Sequence, residues 1–363
     1  MLAVGGPEYR LPSQVLKRDI DYIEALGVEI KANAGIDLGK GLDDLLAKDF
    51  GAVLLALGSH KGHKLNVPGA DLDGSIVGTT FLKEINLGKD VKVGKKTLVV
   101  GGGNVALDCA RSALRLGAEV QIACLEGSIE DMPADVDDTE LAQDEGIQFT
   151  TGLSVTKVVD NGGKVSGVEC VEVANLKFDA DGRPSFDSVA GSEKTIEADT
   201  IIFAIGQTPD LESLPDNSDI GSAAKGLLAT DSETMMTGRR GIFAAGDCFD
   251  GAGSIVKAIA SGQQAASVMN RYLQGDVLRV IPAEVVDEAS IEVKIPDGIE
   301  KMARQPMPLM PVAERVSNWK EVALGYEAEA AIAEAKRCMN CAGHLCKDAC
   351  PYSAPQFAIE EQA

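Results

Sequence analysis

Residues 97 to 126, TLVVGGGNVALDCARSALRLGAEVQIACLE, decide the fold. They read as an apolar run, a glycine turn, a helical stretch and a second apolar run, which together make a βαβ unit. Gly101, Gly102, Gly103, Asn104, Val105 and Ala106 spell G-x-G-x-x-A at the strand-to-helix turn. The first glycine allows the tight turn, and Gly103 lets a pyrophosphate approach the backbone. Ala106 permits close helix packing, and the helix N-terminus offers amide donors to the phosphate charge. A bare glycine triplet is more often a loop, but the flanking strand and helix make this one a dinucleotide fingerprint. Glu126 closes the second strand, where its carboxylate can accept both ribose hydroxyls of an adenosine. A 2'-phosphate would meet charge repulsion there and no arginine, so NAD(H) is expected over NADP. The bland alternative is a solvated carboxylate at a strand end.

Upstream, Val15, Leu16, Ile20, Ile23 and Leu26 fall at helical spacing, Gly27 follows as a stop, and VEI at 28 to 30 reads as a strand. GAVLLALG from Gly51 to Gly58 reads as a short buried strand. Downstream come a helix around 137 to 145 and a β-meander over 147 to 198. The strand DTIIFAIG then closes the unit at Gly206. RGIFAAGDC and the stretch from 254 to 273 give a further strand, turn and helix. Residues 276 to 315 are proline-punctuated without periodicity and read as an extended arm, ahead of a short helix from about Glu327 to Lys336.

The 363 residues are 45% hydrophobic, enough for two or three domains with a buried core. The 39 glycines and scarce aromatics, 4%, suit tight turns around nucleotides in an α/β fold. A formal charge of -22 repels a phosphate backbone, so nucleic acid is not an expected partner. The apolar runs are strand-length, which argues against membrane insertion, and the first residues lack the pattern of an export signal. A cytoplasmic protein is expected.

Cys338, Cys341, Cys346 and Cys350 read C-x2-C-x4-C-x3-C-P, while Cys109, Cys124, Cys170 and Cys248 are scattered through apolar segments. Four soft thiolates this close can converge on one centre, an iron–sulfur cluster or zinc. Structural zinc sites usually separate two cysteine pairs by a longer loop, so the spacing favours [4Fe-4S]. Cys350 could instead serve a neighbouring cluster. His344 reads as a bystander, His60 and His63 as a solvated loop, and Trp319 as an anchor for the tail.

Nicotinamide releases two electrons as hydride and an iron–sulfur centre accepts one at a time, so a flavin is the expected converter. Asp247, just past a strand, could bind a ribityl hydroxyl, and the helix beginning near Ser254 could face a reduced flavin.

GPEYRLP at 6 to 12, LLALGS at 54 to 59, GGGNVALDCAR at 101 to 111, MPA at 132 to 134, AIGQTPD at 204 to 210 and GIFAAGDCF at 241 to 249 carry a resemblance. In this order they resemble the glutamate synthase small-subunit family of pyridine-nucleotide flavoproteins, which shares its fold with the electron-input domains of dihydropyrimidine dehydrogenase. The resemblance implies two Rossmann-like, three-layer domains, the FAD domain interrupted by the NAD domain, with an irregular C-terminal arm bearing the iron–sulfur motif. Gly101, Gly103 and Ala106 would then hold the dinucleotide, Gly206 would lie at the site, Gly246 and Asp247 would hold FAD, and Glu8, Tyr9 and Arg10 would line the flavin side. Members that use NADPH carry Tyr-Arg-Arg where this sequence has Cys124, Leu125 and Glu126.

Two further departures matter. The glutamate synthase subunit has its cysteines ahead of the FAD domain, and here they follow it. The family's glycine-rich turn for the FAD pyrophosphate lies upstream of the first matching piece, so either a companion polypeptide supplies that half of the FAD site, or the chain is a fragment, or flavin is not retained. The expected layout is a first, incomplete FAD segment at 1 to 90, the NAD domain at 91 to 207 and a second FAD segment at 208 to 275. The arm follows at 276 to 326 and the iron–sulfur segment at 327 to 363.

The resulting expectation is an oxidoreductase subunit passing electrons from NADH through FAD to the cluster, and then to a ferredoxin or a reductase subunit of a multisubunit complex. The alternatives are an assembly subunit or gene fragment whose four cysteines hold a structural metal, and a glutamate synthase small chain.

Overall fold

The computed structural model describes residues 2–48, 50–179, 182–215, 219–223, 226–276 and 302–336. In chain order the elements are α1 (Ser13–Ala25), α2 (Lys40–Ala47), β1 (Val53–Leu55), β2 (Lys61–Gly62), β3 (Ser75–Val77), α3 (Gly78–Asn86), β4 (Lys96–Val100) and α4 (Asn104–Arg115). There follow β5 (Glu119–Ala123), α5 (Val136–Asp144), β6 (Gln148–Thr150), β7 (Leu153–Asn161), β8 (Lys164–Phe178), β9 (Pro184–Ser188), β10 (Lys194–Glu197), β11 (Thr200–Phe203) and β12 (Gln207–Thr208). The last are β13 (Ile242–Ala244), α6 (Asp247–Asp250), α7 (Ile255–Gln274), α8 (Val312–Arg315) and α9 (Ala328–Ala335).

The central sheet is five parallel strands in the order β3-β11-β4-β5-β6. A parallel sheet covered on both faces needs strands that are apolar throughout, and TLVV and TIIF satisfy this. Val99, Ile122 and Ile202 point to one face, where Ala106, Leu107, Ala110 and Ala113 of α4 pack with Phe81 of α3. Leu98, Val100, Ile201 and Phe203 point to the other, against Leu153, Val158 and Val168 of the meander. That meander is the antiparallel set β10-β8-β7 with β9 on β8. Each fully buried branched residue here contributes about 1.5–3 kcal/mol, so the layers are held mainly by these two interlocking faces.

The second nucleotide-type region is smaller. β1 and β13 form a two-stranded parallel sheet, with Leu38, Leu42, Leu55, Ile220, Leu228 and Cys248 packed around it. Helix α1 buries none of its residues, and Tyr22, Ile23 and Leu26 stand exposed, as do Val256 and Ile259 of α7.

Several expectations change. Val28, Glu29 and Ile30 form no strand: no neighbouring strand among the described residues pairs with them, and their side chains are exposed. β3, and with it α3, belongs to the sheet of the fingerprint through pairing of β3 with β11, although both lie ahead of residue 90. The helix expected near 327 is α9.

The chain divides into two compact units, Met1–Val280 with Pro311–Val322, and Ile281–Met310 with Ala323–Ala363. In the second unit, Leu309 bridges Ala323, the Tyr326 hydroxyl donates to the Gln305 carbonyl at 2.7 Å, and the Gln305 amide donates to Glu334 at 2.8 Å. No helix among the described residues is long and apolar enough to cross a membrane.

Candidate nucleotide site

The glycine turn connects β4 to α4. Gly101 has φ +137°, and a Cβ there would lie 2.3 Å from the Ala204 carbonyl oxygen, so the close approach of the β11 end requires glycine. A Cβ on Gly102 would meet the Glu126 carboxylate at 2.6 Å. Gly103, at φ -96° and ψ 175°, caps α4 without a side chain, and the place of its Cβ has no heavy atom within 4 Å. An uncapped helix N-terminus beneath open space is a cradle for a phosphate group. Ala106 is buried against the sheet, and Val105 packs at the edge of the same core.

Glu126 is 8% exposed, with its carboxylate folded over Gly102 at the rim of this cradle. Burial pushes the neighbouring Cys124 thiol up to about 12, helped by the Glu126 charge. Asn104 opens α4, and its carboxamide is engaged by one residue: it donates to the Asp135 carboxylate at 3.0 Å and accepts from the Asp135 amide at 2.8 Å. Gly206, at φ +106°, accepts the His63 amide at 3.0 Å just beyond the end of β11.

Gly246 turns at φ +71° after β13, and its amide donates to the Ser261 hydroxyl at 3.0 Å. Asp247 is 7% exposed, and burial raises its carboxyl above the ordinary range, an effect partly offset by the Gly253 amide. A largely buried carboxylate beside a positive-φ glycine at a strand end fits a ribityl-binding group. Cys248 donates weakly to the carbonyls of Leu55 and Ala245 and is buried, a packing role.

The N-terminal trio has other partners. Glu8 accepts from the backbone amide and hydroxyl of Ser13, the first residue of α1. Arg10 pairs with Asp108 at 2.8 Å and Asp138 at 2.7 Å. Tyr9 is buried, with the Arg115 and Arg111 guanidiniums 4.0 and 4.9 Å from its ring centre. Glu8, Tyr9 and Arg10 are therefore bonded to the protein itself, which leaves their expected place on the flavin side without support.

Sequence reasoning missed Asp108, Arg111, Arg115 and Glu145. Glu145 is wholly buried and receives Arg111 at 2.7 Å and Arg115 at 3.0 Å. Burial alone would raise its carboxyl, and the bonds and charges of the two arginines hold it below the ordinary range instead. The signal was present: arginines at 111 and 115 fall on the buried face of α4, where an unpaired cation would be costly. Cys338, Cys341, Cys346 and Cys350 lie outside the described residues.

A dinucleotide-type turn on a doubly covered parallel sheet, with a second parallel pair beside it, defines a pyridine-nucleotide oxidoreductase. The chain belongs to the pyridine nucleotide-disulphide oxidoreductase family, whose model matches residues 13–264. Residues 315–360 match the 4Fe-4S cluster domain II of dihydropyrimidine dehydrogenase. Among individual proteins, the chain is 36% identical over 94% of its length to the NADPH-Fe(3+) oxidoreductase subunit beta of Geobacter sulfurreducens, covering 55% of that protein. It is likewise 36% identical over 94% of its length to the NADP(+)-dependent formate dehydrogenase subunit beta of Moorella thermoacetica, covering 49% of it. The glutamate synthase small chain of Escherichia coli is 31% identical over 76% of this chain and 61% of its own. The chain thus spans about half the length of the first two relatives. In fold it is similar to FprA of Mycobacterium tuberculosis, with a TM-score of 0.60 and 18% identity over 76% of this chain and 75% of that one.

Proposed function

We propose that this chain is an electron-transfer subunit that takes hydride from NADH and delivers single electrons through a [4Fe-4S] cluster to a partner subunit or a ferredoxin. The observation that carries this reading is the open, uncapped α4 N-terminus at Gly103 with the Glu126 carboxylate on its rim.

The α4 amides and Gly103 would hold the pyrophosphate, and Glu126 would accept the adenosine ribose hydroxyls. Gly246 and Asp247 would hold FAD, which when bound converts a hydride pair into single electrons. Catalysis by the protein would then be positioning and exclusion of water, without a nucleophile. Cys338, Cys341, Cys346 and Cys350 supply a soft four-thiolate donor set suited to the cluster. The exposed apolar residues Val256 and Ile259 of α7, the helix that packs on β13, support a partner subunit. A cytoplasmic location is part of the same reading.

NADPH is the second reading, favoured by the names of the Geobacter and Moorella relatives. Titration of the purified protein with each nucleotide separates the two. Tighter binding of NADH supports the assignment of Glu126, and tighter binding of NADPH overturns it. Flavin, iron and acid-labile sulfide assays on anaerobically isolated complex test the rest, and a colourless preparation lacking all three would refute it.

A further inference from the structure

The strand order sets which way a dinucleotide must lie. From β4 the chain passes through α4 to β5 and through α5 to β6 on one side, and β11 later pairs with the other side of β4. Ligands of open parallel sheets bind beyond the strand ends at such a reversal. The ends of β4 and β11 come close there, since a Cβ on Gly101 would lie 2.3 Å from the Ala204 carbonyl oxygen. With the pyrophosphate assigned to the start of α4 and the adenosine to Glu126 past the end of β5, the nicotinamide half falls on the β11 side.

His63 stands at that end of β11. Its amide donates to the Gly206 carbonyl at 3.0 Å, and its ring Cδ2 lies 3.7 Å from the place of a Cβ on Gly206, so the imidazole rests against the chain just past the strand. The residue is exposed, and among the described residues no hydrogen bond or ion pair engages its ring. Four residues upstream, the Ser59 hydroxyl donates to the Asp247 carbonyl at 3.4 Å, in the region assigned to FAD. Four residues of chain span at most about 14 Å, so residues 59 to 63 join the flavin-side carboxylate to the end of β11 in one short step. A nicotinamide that delivers hydride has to lie along that step, because the reacting atoms must come within about 3–3.5 Å of each other.

We propose that His63 is a binding residue for the nicotinamide ring, its imidazole N–H donating to the carboxamide oxygen. This inference deepens the NADH reading and rests on it.

The test uses the full chain in its native complex and two probes: NADH, and ADP-ribose, which keeps the adenosine, the pyrophosphate and the second ribose but has no nicotinamide. His63→Ala should weaken NADH binding about fivefold or more, as expected for one lost hydrogen bond to a neutral acceptor. The dissociation constant of ADP-ribose should stay within about twofold of wild type, and the urea unfolding midpoint should not move. His63→Asn, which keeps an N–H donor, should recover part of the NADH affinity. Equal weakening of both ligands would make the effect structural and overturn the assignment, as would an unchanged affinity for NADH. A wild-type complex that binds neither ligand would overturn the dinucleotide reading itself. Normal ADP-ribose binding with an NADH affinity indifferent to residue 63 would remove His63 alone and leave that reading standing.

Discussion

Gly103→Ala separates what the nucleotide turn does for the fold from what it does for a ligand. Gly103 has backbone angles that alanine adopts freely, and its added methyl would touch no heavy atom of the protein within 4 Å. The substitution should therefore leave stability unchanged or raise it by up to about 1 kcal/mol, because alanine has less freedom to lose on folding. The same methyl would stand in the open space above the α4 amides, where a pyrophosphate must come close to the backbone. Losing one charge-assisted hydrogen bond is worth about 1.5–3 kcal/mol, or roughly ten- to hundredfold in Kd. Calorimetric titration with NADH and urea unfolding of the same preparation read the two effects separately. Gly101→Ala is the contrast, since its Cβ would press on the Ala204 carbonyl at 2.3 Å and φ +137° is strained for any side chain. That variant should lose stability and binding together. If Gly103→Ala binds NADH within twofold of wild type at unchanged stability, the phosphate cradle is misassigned.

Glu126→Arg should move nucleotide preference toward NADPH by about tenfold or more, since it replaces a repulsive charge at the 2'-position with an attractive one; unaltered relative affinities would contradict the role of Glu126. Cys341→Ser should strip most iron and sulfide from the protein, and full retention, or zinc in their place, would exclude a cluster on these thiolates. Burial raises the Asp108 carboxyl from 3.8 to about 6 despite its pairing with Arg10. The folded protein then keeps a proton that the unfolded chain releases, so this group's favourable contribution is full below about pH 4 and is lost as pH rises through about 6. Asp108→Asn should remove that slope, on the order of 2 kcal/mol between pH 4 and pH 7; urea unfolding giving parallel pH profiles for the two proteins would rule this out.

The βαβ core was legible because each requirement there is local. An apolar run of strand length, a glycine turn and a helix with small residues on one face determine one another within thirty residues, and the structure returns them as β4, α4 and β5. The same locality misled at Val28 to Ile30. A strand exists only by pairing, and whether a neighbour is present is not written in three apolar-leaning residues. The assignment of β3 to the central sheet was hidden for the same reason, since its partner β11 lies more than a hundred residues away.

The sequence by itself determined the chemistry on offer: a glycine turn that can receive phosphate, a carboxylate at the next strand end, and four thiolates in a short run. Those are properties of residue type and spacing. Only the tertiary structure decided how the long-range charges are used. Arg315 carries no visible role in the sequence, the spacing of Arg111 and Arg115 on the apolar face of a helix does not name their partner, and Glu8 and Arg10 read there as candidate flavin contacts. In the fold, Glu8 accepts from the start of α1, Arg10 bridges two aspartates, and two arginines of α4 meet the distant Arg315 on Glu145. Burial made the pairings on Glu145 obligatory, because a charge taken out of water must find its counter-ion wherever along the chain it lies.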